Sequence, residues 1–278
     1  MSGRRQLDER LTSLDEIRDV MSSLKTLALL ETHKLARYAD AQQKAVATLR
    51  TAAADFTAHF PVGDWQPRCT FHAVIALGSE HGFCGAYNDL LATAVRDTAA
   101  IRDRHAVIAV GRKLAAKLEP AADLAIEGAI VSEEAQRVLL RVADALVKLQ
   151  QREGGVALSV LYLDPNTRAV QTRPLFPLVP AASPGAAKTT RPNLNVAPRA
   201  MFEALLEEQL YTLLVAAYYE ALSAENRMRM EHLEGAVEHL DRQRGELRLK
   251  RNYLRQEEIT EEIEVILLSA AASTDAGR

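Results

Sequence analysis

Proline and glycine are nearly absent from both ends of this 278-residue chain: residues 4–60 and 199–276 hold no proline and only two glycines, Gly235 and Gly245. Without breakers each end can form one unbroken helix, roughly 80 to 110 Å long at ~1.5 Å per residue and far beyond the ~30 Å width of a small domain. Neither helix can be buried alone, so the two are expected to pack on each other. Aromatic residues are also scarce, at 5%, which suits helix seams of Leu, Ala and Ile better than an aromatic core. The only cysteines, Cys69 and Cys84, are too few for a disulfide framework or a structural zinc site and predict a reducing compartment. A formal charge of -3 lacks the basic excess of a dedicated nucleic-acid binder, so no nucleic-acid partner is expected. The opening MSGRRQLDERL has no apolar run that could serve as a signal peptide. No apolar run reaches the roughly eighteen residues of a membrane helix, so any membrane association is expected through a partner.

What the ends do contain is helical periodicity. Leu7, Leu11, Leu14, Ile17, Met21, Leu24, Ala28 and Leu35 recur mostly at steps of three or four and predict a narrow apolar seam on the first helix. In the last helix Leu205, Leu213, Ala217, Ala221, Met228, Leu233, Val237, Leu240, Leu247, Leu254 and Ile259 continue such a pattern, and a seam within Leu233 to Ile263 is expected to face the first. Charge is dense between Glu238 and Glu264, as on a solvated face or a helix set among polar partners.

The middle reads differently. Phe71 to Leu77, Ala106 to Val110 and Val156 to Leu163 are short apolar runs expected to be buried strands. Residues 169–178, with Pro174 and Pro177, read as an edge strand, since proline cannot complete an interior ladder. Helices are expected from about Asn88 to Ile101 and after Ser132, whose hydroxyl is a candidate N-cap before Glu133 and Glu134. Alternating strands and helices predict an α/β sheet covered on both faces, and residues 181–198, rich in Pro, Ala, Ser and Asn, predict a linker.

Candidate chemistry is thin. The turn Gly78 to Gly85 follows a strand, where open α/β sheets bind ligands, yet it has neither phosphate-cradling glycine pattern. His81 and Cys84 could be a base and a nucleophile, but no third orienting group is identifiable. His232 and His239, seven apart, share a helix face without the spacing of a metalloprotease helix. No catalytic residue, cofactor site, metal site or small-molecule substrate is therefore assigned. On these residues alone a stand-alone α/β enzyme and a coiled-coil scaffold both stay open.

Four motifs carry a resemblance. Asn252, Arg255, Gln256, Ile259, Thr260, Glu262, Ile263 and Ile266 match N-x-x-R-Q-x-x-I-T-x-E-[LI]-x-x-I without a gap. Glu225, Arg229 and Met230 match E-x-x-x-R-M. Ser79, Gly82, Cys84, Gly85 and Asn88 fit a glycine-rich motif in which Glu80, His81 and Phe83 are variants. Leu7, Arg10, Leu11, Ser13 and Leu14 fit I-R-x-[RK]-I-x-S-V, with Asp8 in place of its arginine. Together they resemble the gamma subunit of F-type rotary ATP synthases over essentially the whole chain.

That resemblance implies an α/β fold, with a central Rossmann-like domain (61–198) between long helices (1–60 and 199–278) that form an antiparallel coiled coil. It implies a non-catalytic rotor shaft that couples ion flow through a membrane sector to ATP synthesis or hydrolysis in other chains. The implied partners are catalytic and non-catalytic subunits in a hexameric ring, an epsilon-type subunit and a membrane rotor ring. Leu24, Arg229, Met230, Asn252, Arg255, Gln256, Ile259, Thr260 and Ile263 fall at the expected subunit contacts. The implied place is the cytoplasmic face of a bacterial or archaeal plasma membrane, reached through the complex. Asp19 and Glu31 stand where the family usually has lysine, and Leu24 where it has methionine. Two basic-to-acidic changes on one helix are expected to alter the charge that surrounding subunits must offer, as in a divergent member from a second or ion-specialised rotary ATPase.

Overall fold

A computed structural model describes residues 2–60, 62, 65, 68–99, 104–177, 191 and 193–275. The element order is α1 (Ser2–His59), β1 (Phe71–Leu77), α2 (Tyr87–Ala99), β2 (His105–Val110), α3 (Arg112–Leu118), β3 (Leu124–Ile126), a 3-10 turn (Ser132–Glu134), α4 (Ala135–Glu153), β4 (Val156–Leu163), β5 (Val170–Phe176) and α5 (Pro198–Asp275). The breaker-free ends are thus one helix each. The expected linker over 181–198 lies, apart from its last few residues, outside the described residues. Among the described residues no helix is long and apolar enough to cross a membrane. The chain divides into two compact units, residues 27–230 and residues 1–26 with 231–278, so α1 and α5 each contribute to both.

In the larger unit the sheet runs β3-β2-β1-β4-β5. The first four strands are parallel neighbours, and β5 pairs antiparallel on β4 with Leu163 opposite Val170. Strand residues alternate between two cores, as the period-two pleat requires. Ala73, Ile75, Leu77, Ile108, Val110, Leu158 and Val160 face Val138, Leu139 and Val142 of α4, Leu213, Ala217 and Ala221 of α5 and Leu35 of α1. Val74, Ala76, Val107, Ala109, Leu161 and Leu163 face Tyr87, Leu91 and Val95 of α2 and Leu114 and Leu118 of α3. The expected sheet with both faces covered is what forms. Gly111, between β2 and α3, has φ +101°, and a Cβ there would lie 2.6 Å from the carbonyl oxygens of Gly78 and Ser79, so only glycine fits.

A third, smaller core gathers scarce aromatics. Phe56 stacks on Phe60 at 4.8 Å and on Phe202 at 6.2 Å, and the sole tryptophan, Trp65, meets Phe202 edge-on at 5.6 Å. The helix after Ser132 begins differently from expectation. Ser132 opens a 3-10 turn, neither that turn nor α4 has a cap from its own flanking side chain, and the Ser132 hydroxyl donates to Glu133 instead.

In the smaller unit the helix ends run antiparallel. Arg4 pairs with Glu258, Asp8 with Arg251, Asp15 with Arg244, Arg18 with Asp241 and Lys25 with Glu234, so numbers fall on α5 as they rise on α1. Beside the partly covered Asp8, Asp15, Ser22, Leu24 and Ala236, the seam runs through Leu7, Leu11, Leu14, Arg18, Met21 and Lys25 on α1, and Leu233, Val237, Leu240, Arg244, Leu247, Arg251, Leu254 and Glu258 on α5. Their strict alternation of threes and fours is the heptad spacing of a coiled coil.

Two expectations are corrected here. Ile17 is 45% exposed and leaves its seam place to Arg18, while Ile259 and Ile263 are 45% and 51% exposed, off the α5 seam. The reason is that long cationic side chains bury their methylene stems and carry the charge out to the rim. Arg18 Nε reaches Asp241 at 2.7 Å, Lys25 Nζ reaches Glu234 at 3.0 Å, and Arg244 and Arg251 reach Asp15 and Asp8 from the other side. Each such half-exposed pair contributes at most about 1 kcal/mol, and their value is in fixing direction and register.

Leu11→Ala should therefore destabilise the paired ends by about 2–5 kcal/mol, as for a buried leucine, whereas Ile17→Ala should change stability by under ~0.5 kcal/mol. Amide hydrogen exchange along residues 4–26 reads this directly, and equal loss of protection in both variants would contradict the seam.

Candidate functional site

Two of the sequence motifs, about 140 residues apart in the chain, meet in the larger unit. The turn after β1 is tied internally by Asn88 of α2. Asn88 Oδ1 accepts the Ser79 N–H at 3.0 Å and its Nδ2 donates to Ser79 Oγ at 2.7 Å. Ser79 Oγ donates to the His81 carbonyl at 2.9 Å, and the Cys84 thiol donates to Ser79 Oγ at 3.3 Å. Tyr87 places its buried hydroxyl 3.1 Å from the carbonyl oxygens of both Leu77 and Ala221, which fastens the turn to α5.

From α5 the Arg229 guanidinium closes over the same turn. Its Nε donates to the Gly82 carbonyl at 3.2 Å and Nη2 to the His81 carbonyl at 3.4 Å, while Nη1 donates to Asn226 Oδ1 at 3.1 Å and Nη2 pairs with Glu225. A fork of five donors is suited to gathering several carbonyls and a carboxylate at once. Glu225 is one helical turn from Arg229, the spacing at which side chains meet. Burial pushes the Glu225 carboxyl above its ordinary value, against the opposing pull of the Arg229 charge. Within this clasp Phe83 has φ +64°, strained for a bulky side chain, and is 49% exposed at the tip.

Glu80 turns the other way. Its Oε2 accepts the backbone N–H groups of Arg112 at 3.0 Å and Gly128 at 2.7 Å, and its Oε1 pairs with the Arg112 side chain. Burial acts to raise this carboxyl, but those hydrogen bonds outweigh it and hold Glu80 below its ordinary value. Near the end of β1, where open α/β sheets present such donors to a ligand, these two N–H groups are therefore taken by the chain's own carboxylate. Cys84 is buried, burial also raises its thiol, and a covered thiol of this kind is a poor nucleophile. His232 and His239 are both exposed. Among the described residues no three His, Cys, Asp or Glu side chains are grouped to hold a metal.

The expected contact residues separate into two sets. Arg229 points into the turn, with its side chain 13% exposed, and Met230 and Leu24 are half-buried. Asn252, Arg255, Gln256, Ile259, Thr260 and Ile263 are all exposed on α5, alongside exposed Leu249, Tyr253, Val265, Ile266 and Leu267. Periodicity missed Tyr87, Asn226 and Arg112. Tyr87 and Asn226 lie at unspecified positions of the two motifs, and their proximity to matched residues is the one signal that could have marked them.

The sequence profile described as ATP synthase matches residues 3–272. The chain belongs to the ATP synthase gamma-subunit family. A comparison with curated proteins finds no match. Among solved structures the chain is similar to the rotor of the Euglena gracilis mitochondrial ATP synthase in rotational state 1, at 14% identity and TM-score 0.60 over 93% of this chain and 99% of that one. It is similar to a chain of the OSCP/F1/c-ring part of the same species' enzyme in rotational state 3, at 15% identity and TM-score 0.64 over 100% and 96%. A central stalk/c-ring structure of the Tetrahymena thermophila mitochondrial ATP synthase matches at 13% identity and TM-score 0.57 over 78% and 99%. At these identities the likeness is one of fold. The α/β domain with long terminal helices and the rotor-shaft role expected of this gamma subunit are borne out. The expected bacterial or archaeal plasma-membrane location is overturned, because these matched structures are of mitochondrial complexes from eukaryotes.

The clasp generates a pH test. The folded carboxyl of Glu225 lies above its unfolded value, so its contribution is unimpaired below the unfolded value and stability is lost as pH rises toward the folded one. Arg229→Met leaves that buried carboxylate without its counter-charge and should cost about 3–5 kcal/mol near pH 8. The loss should be smaller at pH 5 than at pH 8, because acid favours the neutral form of a carboxyl already raised by burial, and should shrink at both pH values in Glu225→Gln/Arg229→Met. Urea unfolding at the two pH values measures it. A pH-independent loss, unchanged by the second substitution, contradicts the clasp.

Proposed function

We propose that this gamma subunit transmits torque between a membrane rotor ring and a hexameric ring of catalytic and non-catalytic ATPase subunits, joined by an epsilon-type subunit, and performs no bond chemistry itself. In this reading it couples ion flow to ATP synthesis or hydrolysis carried out by the other chains. The observation that carries the reading is the exposed run of signature residues on α5: Asn252, Arg255, Gln256, Ile259, Thr260 and Ile263 match the family yet stay exposed within the chain. Residues without an internal packing role are suited to meeting partners. Gln256 and Thr260 lie one turn apart, with Thr260 Oγ1 donating to the Gln256 carbonyl at 2.9 Å. The Gln256 amide and Arg255 guanidinium can then make directional hydrogen bonds to acceptors on an enclosing ring.

Leu24 and Met230 act as half-buried apolar contacts to the same ring. Arg229 acts indirectly, by holding the Ser79–Gly85 turn in shape so that His81 and Phe83 are presented outward. A mixed polar and apolar surface with few large anchors gives many shallow contacts rather than one deep minimum, which suits a shaft that must leave each position it reaches.

Arg255→Ala with Gln256→Ala should leave the purified chain folded, with unaltered circular dichroism and melting. It should impair assembly or ATP turnover of the reconstituted complex. A double variant that assembles normally and supports ATP synthesis in vesicles at the parental rate would defeat the assignment. Purified chain that hydrolyses ATP above background, with the activity lost in Cys84→Ala, would defeat the non-catalytic reading.

A further inference from the structure

The two acidic replacements on α1 have different fates. Asp19 is exposed and accepts from Arg18 at 3.3 Å, as expected of a charge offered to surroundings. Glu31 is buried, at 8% exposure, and faces the chain's own interior. Its Oε2 accepts the Ser132 N–H at 2.9 Å across 101 residues of sequence. Its Oε1 accepts from Lys34 Nζ at 2.9 Å, and the same ammonium donates to Glu133 Oε1 at 2.9 Å. Glu133 in turn accepts the Ser132 hydroxyl at 3.2 Å.

We propose that Glu31 is a positioning residue for torque transfer, forming with Lys34 a latch that fastens α1 to the Ser132–Glu134 turn at the start of α4. This rests on the shaft reading above.

The latch meets a need of the fold. Helix starts leave backbone N–H groups without partners, and neither the 132–134 turn nor α4 has a flanking side-chain cap. A carboxylate at that position satisfies a donor and faces the positive end of the helix. A lysine at position 31 would have no acceptor to offer. Lys34 bridges the acids of the two segments, and its hydrogen bond is the main cause holding the Glu133 carboxyl below its ordinary value. To slide α1 past α4, the chain must uncover a buried carboxylate and an amide together, which resists shear more than apolar contact alone.

The test separates charge, cap and coupling. In the isolated full chain, Ser132 amide hydrogen exchange should accelerate about fivefold or more in Glu31→Leu, the factor lost with one hydrogen bond, and much less in Glu31→Gln, which keeps an acceptor. In the reconstituted complex, Glu31→Leu should lower ions moved per ATP hydrolysed, with Glu31→Gln closer to the parent. A residue that only adds stability would change melting and yield, not this ratio in assembled complexes. Parental coupling in Glu31→Leu, or unchanged Ser132 exchange, overturns the latch. If Glu31→Leu fails to assemble, Lys34→Met decides, since it keeps the cap and cuts the bridge: a lowered ratio supports the latch and a parental ratio overturns it. A parental complex that moves no ions with ATP overturns the shaft reading and the latch together, whereas a coupled parent with indifferent variants sinks the latch alone.

Discussion

Everything about the smaller unit follows from a shortage of apolar surface on two long helix ends. An isolated helix has only its own backbone hydrogen bonds and a narrow stripe to bury, and here the stripe is interrupted on both strands by cations. The antiparallel pairing turns those interruptions into part of the seam. Arg18 and Lys25 from α1 and Arg244 and Arg251 from α5 each lay a methylene stem into it and place the charge on an acid of the other helix. A parallel arrangement or a shifted register would put cations opposite cations, so direction is set electrostatically while Leu11, Leu233 and Leu240 supply the burial.

In the larger unit one helix, α5, is used twice. Its Leu213 to Leu222 stretch covers one face of the sheet, and its Glu225–Arg229 pair, one to two turns further on, locks the turn after β1. The end of β1 is thereby committed to structure. Glu80 occupies backbone donors at Arg112 and Gly128, and Cys84 is buried against Ser79. Family membership agrees with a part that moves.

The sequence announced α1, α2, α4, α5 and the four longer strands plainly, because breaker-free periodic segments and short apolar runs are local signals, whereas the seven-residue α3 went unread. It announced the family through Asn252 to Ile266, an ungapped match. What it hid was non-local. β3 has three residues, two of them exposed, too little for a pattern. Ile17 looked like a seam residue because apolar character was counted, whereas Arg18 is covered through its stem. Glu31 looked like a surface charge presented to partners, since nothing within reach on α1 foretells that Ser132 lies opposite. Ser132 itself looked like a cap, and is capped by that distant carboxylate instead.

The central claim is that the chain turns as a shaft while other subunits do the chemistry. The most direct measurement fixes the catalytic ring of a reconstituted complex to a surface, attaches an optical probe to an exposed residue of this chain such as Leu140, and supplies ATP. Stepwise rotation in one direction, stopping when ATP is exhausted, is the result this account predicts. Sustained ATP hydrolysis with the probe stationary would contradict it.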